Sequence, residues 1–138
     1  MKCVEPATLT TDLVKTHDAL QRMVSALHAA APAAVLVFVT YPRMVPDGNC
    51  PALGFTDADA AILRDMGAKL EQVFVDTFKN TNVVFVDPYA APGDHTACAA
   101  PSERWEAGHV APGGFPYHPT ALGHQVMAQM IAAALQKQ

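Results

Sequence analysis

Two continuous apolar runs rich in β-branched residues, Ala33-Ala34-Val35-Leu36-Val37-Phe38-Val39-Thr40 and Val83-Val84-Phe85-Val86, constrain this chain more than any other feature. Each run stops at a proline, Tyr41-Pro42 after the first and Asp87-Pro88 after the second. Runs without polar alternation suit strands buried on both faces of a sheet, which is the situation of a parallel sheet covered by helices. A loop and one long amphipathic stretch lie between them, and a crossover of that kind joins parallel neighbours. The chain is therefore expected to build an α/β sheet with right-handed crossovers.

Three helical periods surround these strands. Thr10-Thr11-Asp12 reads as a helix start, with Leu13, Leu20, Val24 and Leu27 keeping the period up to Pro32. Thr56 is placed to cap a second helix, with Asp57 and Asp59 in its first turn where the helix dipole favours negative charge. Its apolar stripe comprises Ile62, Leu63, Met66, Leu70, Val73, Phe74 and Phe78, and Asn80 or Asn82 would close it. A third helix starts near Thr120 and carries Leu122, Val126, Met127, Met130, Ile131 and Leu135. Between Tyr89 and Tyr117 no period is evident, and long aperiodic segments in compact domains usually carry function or are disordered. No internal repeat is present, and residues 1–138 read as a single domain. Two strands are few for an independent sheet, so a missing partner or N-terminal half is expected.

Composition narrows the function. The net charge of −4 and the absence of a Lys/Arg cluster exclude nucleic acid as the main partner. The longest strongly apolar run, Ala33 to Val39, is too short to span a bilayer, and Met1-Lys2-Cys3 is followed by a polar stretch rather than by the core of a signal peptide. Three cysteines leave one unmatched. Cys50 and Cys98 fall in Pro/Gly-rich loops where an oxidised protein would place a bridge, the alternative being two loop thiols; Cys3 is left over.

The block Pro116-Tyr117-His118-Pro119-Thr120-Ala121-Leu122-Gly123-His124 carries the chemistry. Pro119 biases His118 toward an extended conformation while Thr120 caps the helix, so one imidazole is presented at a helix start. Such a histidine can act as general base toward a hydroxyl nucleophile. Neither serine suits that role: Ser25 lies within a helix and Ser102 in a Pro-rich loop, away from any strand-to-helix turn. His124 falls inside the helix, a packing position or one that supports the site from behind. Asp87 and Asp94 occupy ordinary turn positions. His95 and Cys98 form an H-x-x-C pair that could join His109 and His118 in a zinc set, but no second pair has a ligand spacing. Neither metal nor organic cofactor is expected.

The strand Val35 to Thr40 running into Tyr41-Pro42 and a cysteine loop, the strand Val83 to Asp87, Gly93-Asp94-His95 with Cys98, Trp105 and the His118 block together resemble the C-terminal part of the SGNH hydrolase family, the GDSL esterases and lipases. The resemblance is greatest to secreted actinobacterial members. It implies a three-layer, flavodoxin-like α/β/α sandwich with a parallel sheet, of which this chain holds the last two strands. It also implies carboxylic-ester hydrolysis with His118 as general base, a small ester or lipid substrate, a Cys50–Cys98 disulfide and an extracellular lineage. Trp105 and Tyr117 would line the substrate pocket, the alternative for Trp105 being a loop anchor packed on the sheet.

Two departures from the family pattern stand out. Members usually have aspartate three residues before the catalytic histidine, where this chain has Phe115. A main-chain carbonyl at or next to Phe115 would then orient the ring, replacing the hydrogen bond but not the charge. The family's serine block, and the glycine and asparagine of its oxyanion hole, find no match in residues 1 to 40. The chain would then supply the histidine to a complementing N-terminal segment. The alternative is a truncated, non-catalytic module that binds a partner or dimerises through its sheet edge.

Overall fold

The computed structural model describes residues 6–138, in which three helices surround a two-stranded sheet. Helix α1 spans Pro6–Ala30, strand β1 Val37–Val39, helix α2 Asp57–Phe78, strand β2 Val84–Val86 and helix α3 Ala121–Leu135. A short 3-10 turn, Pro51–Leu53, lies in the loop after β1. Cys3 lies outside the described residues. The strands are parallel, with Val37 opposite Val84, Phe38 opposite Phe85 and Val39 opposite Val86.

Local chemistry explains most boundaries. The Thr56 hydroxyl accepts from the Asp59 amide at 3.1 Å, and that of Thr120 accepts from the Gly123 amide at 3.0 Å. Each satisfies one of the orphan amides of a helix start. Helix α1 begins earlier than Thr10-Thr11-Asp12 suggests. Pro6 suits a first helical position, where its missing N–H costs nothing, and Asp12 instead pairs inside the helix with Lys15 at 3.3 Å. Helix α1 ends at Ala30 because the residue before Pro32 is disfavoured in helical geometry. Helix α2 closes at Lys79, ahead of both asparagines.

Phe38, Phe74, Phe78 and Phe85 form the aromatic centre of the main core, joined by Val24 and Leu20 of α1. The Phe38 and Phe78 rings lie 4.3 Å apart. A ring as fully covered as Phe78, at 2% exposure, contributes about 2–3 kcal/mol through burial. Val84 and Val86 alternate away from Phe85, and α3 packs on β2.

The expectation of strands buried on both faces holds for β2 better than for β1. Residues of β1 are only half-buried, and Val35 just before it is 60% exposed. Both strands have a hydrogen-bonded neighbour on one side only, and the difference comes from α3, which packs on β2. The helices show the same incompleteness: Val14, Met23 and Leu27 of α1 and Leu135 of α3 are exposed. No helix among the described residues is long and apolar enough to cross a membrane.

A second core of Val45, Leu53, Ala60 and Ala97 lies under the loops. The Cys50–Cys98 disulfide packs against it and joins the two loops across 48 positions, with Cα atoms 5.8 Å apart.

Candidate active site

The histidine loop is built on this disulfide-stapled platform. Leu53 and Ala52 of the 3-10 turn offer carbonyls outward. Ala52 accepts from the His109 amide at 2.9 Å and from His109 Nδ1 at 2.8 Å, and Leu53 accepts from the Tyr117 hydroxyl at 3.0 Å. Tyr117 also stacks on Phe55, with ring centroids 5.2 Å apart, and its amide donates to Gly108. These contacts hold Tyr117 in a left-handed conformation, φ 58°, which is unusual for a side-chain-bearing residue. The chain turns there, immediately before His118.

On the other side, residues 104–107 run antiparallel to 118–120. The Ala107 amide donates to the His118 carbonyl at 2.9 Å, the Thr120 amide to Trp105 at 2.8 Å and the Thr120 hydroxyl to Arg104 at 2.9 Å. Glu106 and Pro119 form the bridge between them. Thr120 thus caps α3 and ties its start to the loop at the same time.

His118 is exposed, and its Nδ1 lies 2.8 Å from the Pro116 carbonyl. A carbonyl only accepts, so Nδ1 carries the proton and the neutral ring has its lone pair at Nε2. The orienting carbonyl is therefore that of Pro116, one residue beyond Phe115. The ring reaches back two residues to it, whereas the Phe115 side chain is 76% exposed with its ring 6.0 Å from the imidazole.

His118 and Phe115 line an open groove of about 910 Å³. His124, expected either to pack or to support the site, does not pack: it is exposed on α3 and lines the same groove, because it sits one turn beyond Thr120. Trp105 does not line it. The indole is buried and stacks flat on His95, 4.0 Å between centroids, which anchors the loop. Tyr117 lines instead a cleft of about 250 Å³ between α2 and the loop after β1.

No serine lines the groove. The Ser25 hydroxyl donates to the Gln21 carbonyl within α1 at 2.9 Å, and Ser102 sits in an exposed turn. Cys98 is consumed in the disulfide and His95 Nδ1 is paired with the Glu103 carbonyl at 2.9 Å, so the H-x-x-C pair offers no thiolate ligand. Among the described residues no three of His, Cys, Asp and Glu are gathered to hold a metal ion.

Two carboxyl groups escaped the sequence reading. Burial pushes Glu106 up to about 7, with the charge on His118 acting in the opposite direction, and one of its oxygens is buried without a partner. Glu71 is pushed up to about 7 as well, by burial first and then by the neighbouring Asp87 carboxylate. Asp87 in turn accepts from Thr40 at 3.3 Å and from the Ala90 amide at 3.0 Å. Asp94 sits in a turn, where the Thr96 hydroxyl first, and then the Thr96 amide that donates to it at 3.0 Å, hold its carboxyl below the usual range. Glu71 had a legible signal: it stands three residues before Phe74 and seven before Phe78, on the buried stripe. Glu106 follows Trp105 in an aperiodic loop that gives no such signal.

Comparison with curated proteins gives no match. The model of the GDSL-like Lipase/Acylhydrolase family matches residues 5–126, a span that holds both strands, the disulfide and the histidine loop. On that match, the chain belongs to the GDSL-like Lipase/Acylhydrolase family.

Proposed function

We propose that this chain supplies the general base of a carboxylic-ester hydrolase, and that it represents the C-terminal part of a three-layer sandwich whose nucleophile comes from a serine-bearing segment outside it. The observation that carries the reading is the Nδ1–H bond to Pro116 at 2.8 Å on an imidazole that lines an open groove. Nε2 then takes the proton of an attacking hydroxyl as the hydroxyl oxygen bonds to the ester carbonyl carbon, and returns it to the departing alkoxide. A water molecule repeats the sequence on the acyl intermediate and releases the acid. The carbonyl fixes tautomer and orientation but adds no countercharge to the imidazolium.

The test is hydrolysis of p-nitrophenyl acetate and butyrate, with fluorophosphonate labelling, by the purified chain alone and mixed with a serine-bearing N-terminal segment of a family member. The expected result is no turnover alone and His118-dependent turnover in the mixture, with the label on the added serine. Turnover that survives His118→Ala would sink the role of His118. Labelling of Ser25 or Ser102 would overturn the external nucleophile. The Cys50–Cys98 bridge supports an extracellular setting for the reaction.

A second reading is favoured by the single-sided pairing of β1 and the exposure of Val35 and Tyr41 at its two ends, 60% and 71%. Here the chain is a non-catalytic module that dimerises through that edge. Light scattering that finds only monomer at high protein concentration argues against it.

A further inference from the structure

The groove at His118 has a charge pattern unlike that of the chain as a whole. The protein carries a net charge of −4, yet no aspartate or glutamate lines the groove, while Arg104, His109, His118 and His124 all do. The guanidinium of Arg104 makes no hydrogen bond or ion pair among the described residues; its residue is held by the backbone alone, through its amide to Ala100 and its carbonyl to Thr120. By contrast, Arg43 and Arg64 spend their guanidiniums on the carbonyls of Gly93, Pro46 and Gly48. No acid forms an ion pair with Arg104 among the described residues, although Glu106 interacts electrostatically with His118. Glu103 forms no ion pair with it among the described residues, and Glu106 lines the separate cleft with Glu71.

Much of the remaining wall is apolar, with Val110 and Phe115 exposed to 62% and 76%. A cation beside low-dielectric walls attracts an anion more strongly than the same cation on an open surface, and a guanidinium fork matches a carboxylate in shape as well as charge. Thr120 and Ala121, at the start of α3, complete the wall and add the positive end of the helix dipole. Resting on the ester-hydrolase reading of His118, we infer that the groove selects esters that carry an anionic group, with Arg104 as the residue that determines this specificity. The anion belongs to either the acyl or the alcohol side of the ester, and both are carboxylates in the simplest substrates.

The inference is tested by titrating the isotopically labelled 138-residue chain with three ligands and following Arg104 and His118 by NMR. Monomethyl glutarate places the carboxylate on the acyl side, 4-acetoxybutanoate places it on the alcohol side, and dimethyl glutarate is neutral. One anionic ester is expected to bind roughly tenfold more tightly than the neutral one, the size expected for one charge-assisted contact. Whichever it is assigns the side. The preference should fall toward unity at about 1 M salt, where the Debye length is about 3 Å. Arg104→Gln should abolish it and Arg104→Lys should retain most of it; both keep the backbone bonds at position 104, and retained spectral dispersion verifies the fold. Equal affinities, no binding, or a preference unchanged in Arg104→Gln would overturn the inference. In the complemented enzyme, equal kcat/KM for neutral and anionic esters overturns the selectivity while leaving hydrolysis intact. An Arg104-dependent preference without any turnover leaves the selectivity and removes the esterase reading.

Discussion

Glu106→Gln exchanges a buried carboxyl for a neutral amide of nearly the same shape, and so isolates one protonation event from the packing around it. Glu106 is 4% exposed, with one oxygen buried and unpartnered, and its carboxyl is raised from 4.5 to about 7. Below about pH 4.5 folded and unfolded chains both hold the proton, and the group makes no difference to stability. Between 4.5 and 7 the folded state keeps a proton that the unfolded state has lost. Stability therefore falls as pH rises through this window, by up to about 1.4 kcal/mol per pH unit for one such group, and the loss is complete above the folded value. The shift corresponds to about 3 kcal/mol, against total stabilities of roughly 5–15 kcal/mol for domains in general. Glu71, raised to about 7 in the same way, contributes a second loss of similar sign. Urea unfolding at constant ionic strength should place Glu106→Gln within about 0.5 kcal/mol of the wild type at pH 4 and about 2–3 kcal/mol above it at pH 8, at unchanged m. The wild type should show roughly twice the pH slope of the variant. Parallel stability curves across that range, or a Glu106 carboxyl carbon that titrates near 4.5, would refute the argument from burial.

Reduction of Cys50–Cys98, which closes a loop of 48 positions, should lower stability by about 4 kcal/mol in the chain-entropy account; unfolding with and without a reductant measures it. Gly123→Ala drives a Cβ into the Trp105 carbonyl oxygen, a backbone atom that also accepts from Thr120. It should cost about 1–3 kcal/mol and shift the His118 resonances, whereas Gly114→Ala, with nothing within 4 Å, should leave both unchanged. Thr120→Ala removes the α3 cap and the bond to Arg104; it should cost about 1–2 kcal/mol in thermal or urea unfolding.

Elements whose cause is local were legible in the chain. Thr56 and Thr120 cap helices because a hydroxyl placed before a helical run reaches the free amides just ahead of it, which needs no distant residue. The two Val/Phe runs with proline stops specify a parallel pair for the same kind of reason, and the His118 block specifies an exposed imidazole. What depended on long-range contact was not legible. Which carbonyl holds the imidazole was decided by the turn at Tyr117, itself pinned to Leu53 sixty-four positions away. Of the two readings open for Trp105, pocket wall and loop anchor, its stacking on His95 selected the anchor. Glu106 became a buried acid, and Arg104 an uncommitted cation in the wall of the His118 groove, only when residues 104–107 were laid against 118–120. Sequence periodicity encodes which face of an element is apolar, whereas the dielectric and the partners of a loop side chain are set by which distant backbone closes over it.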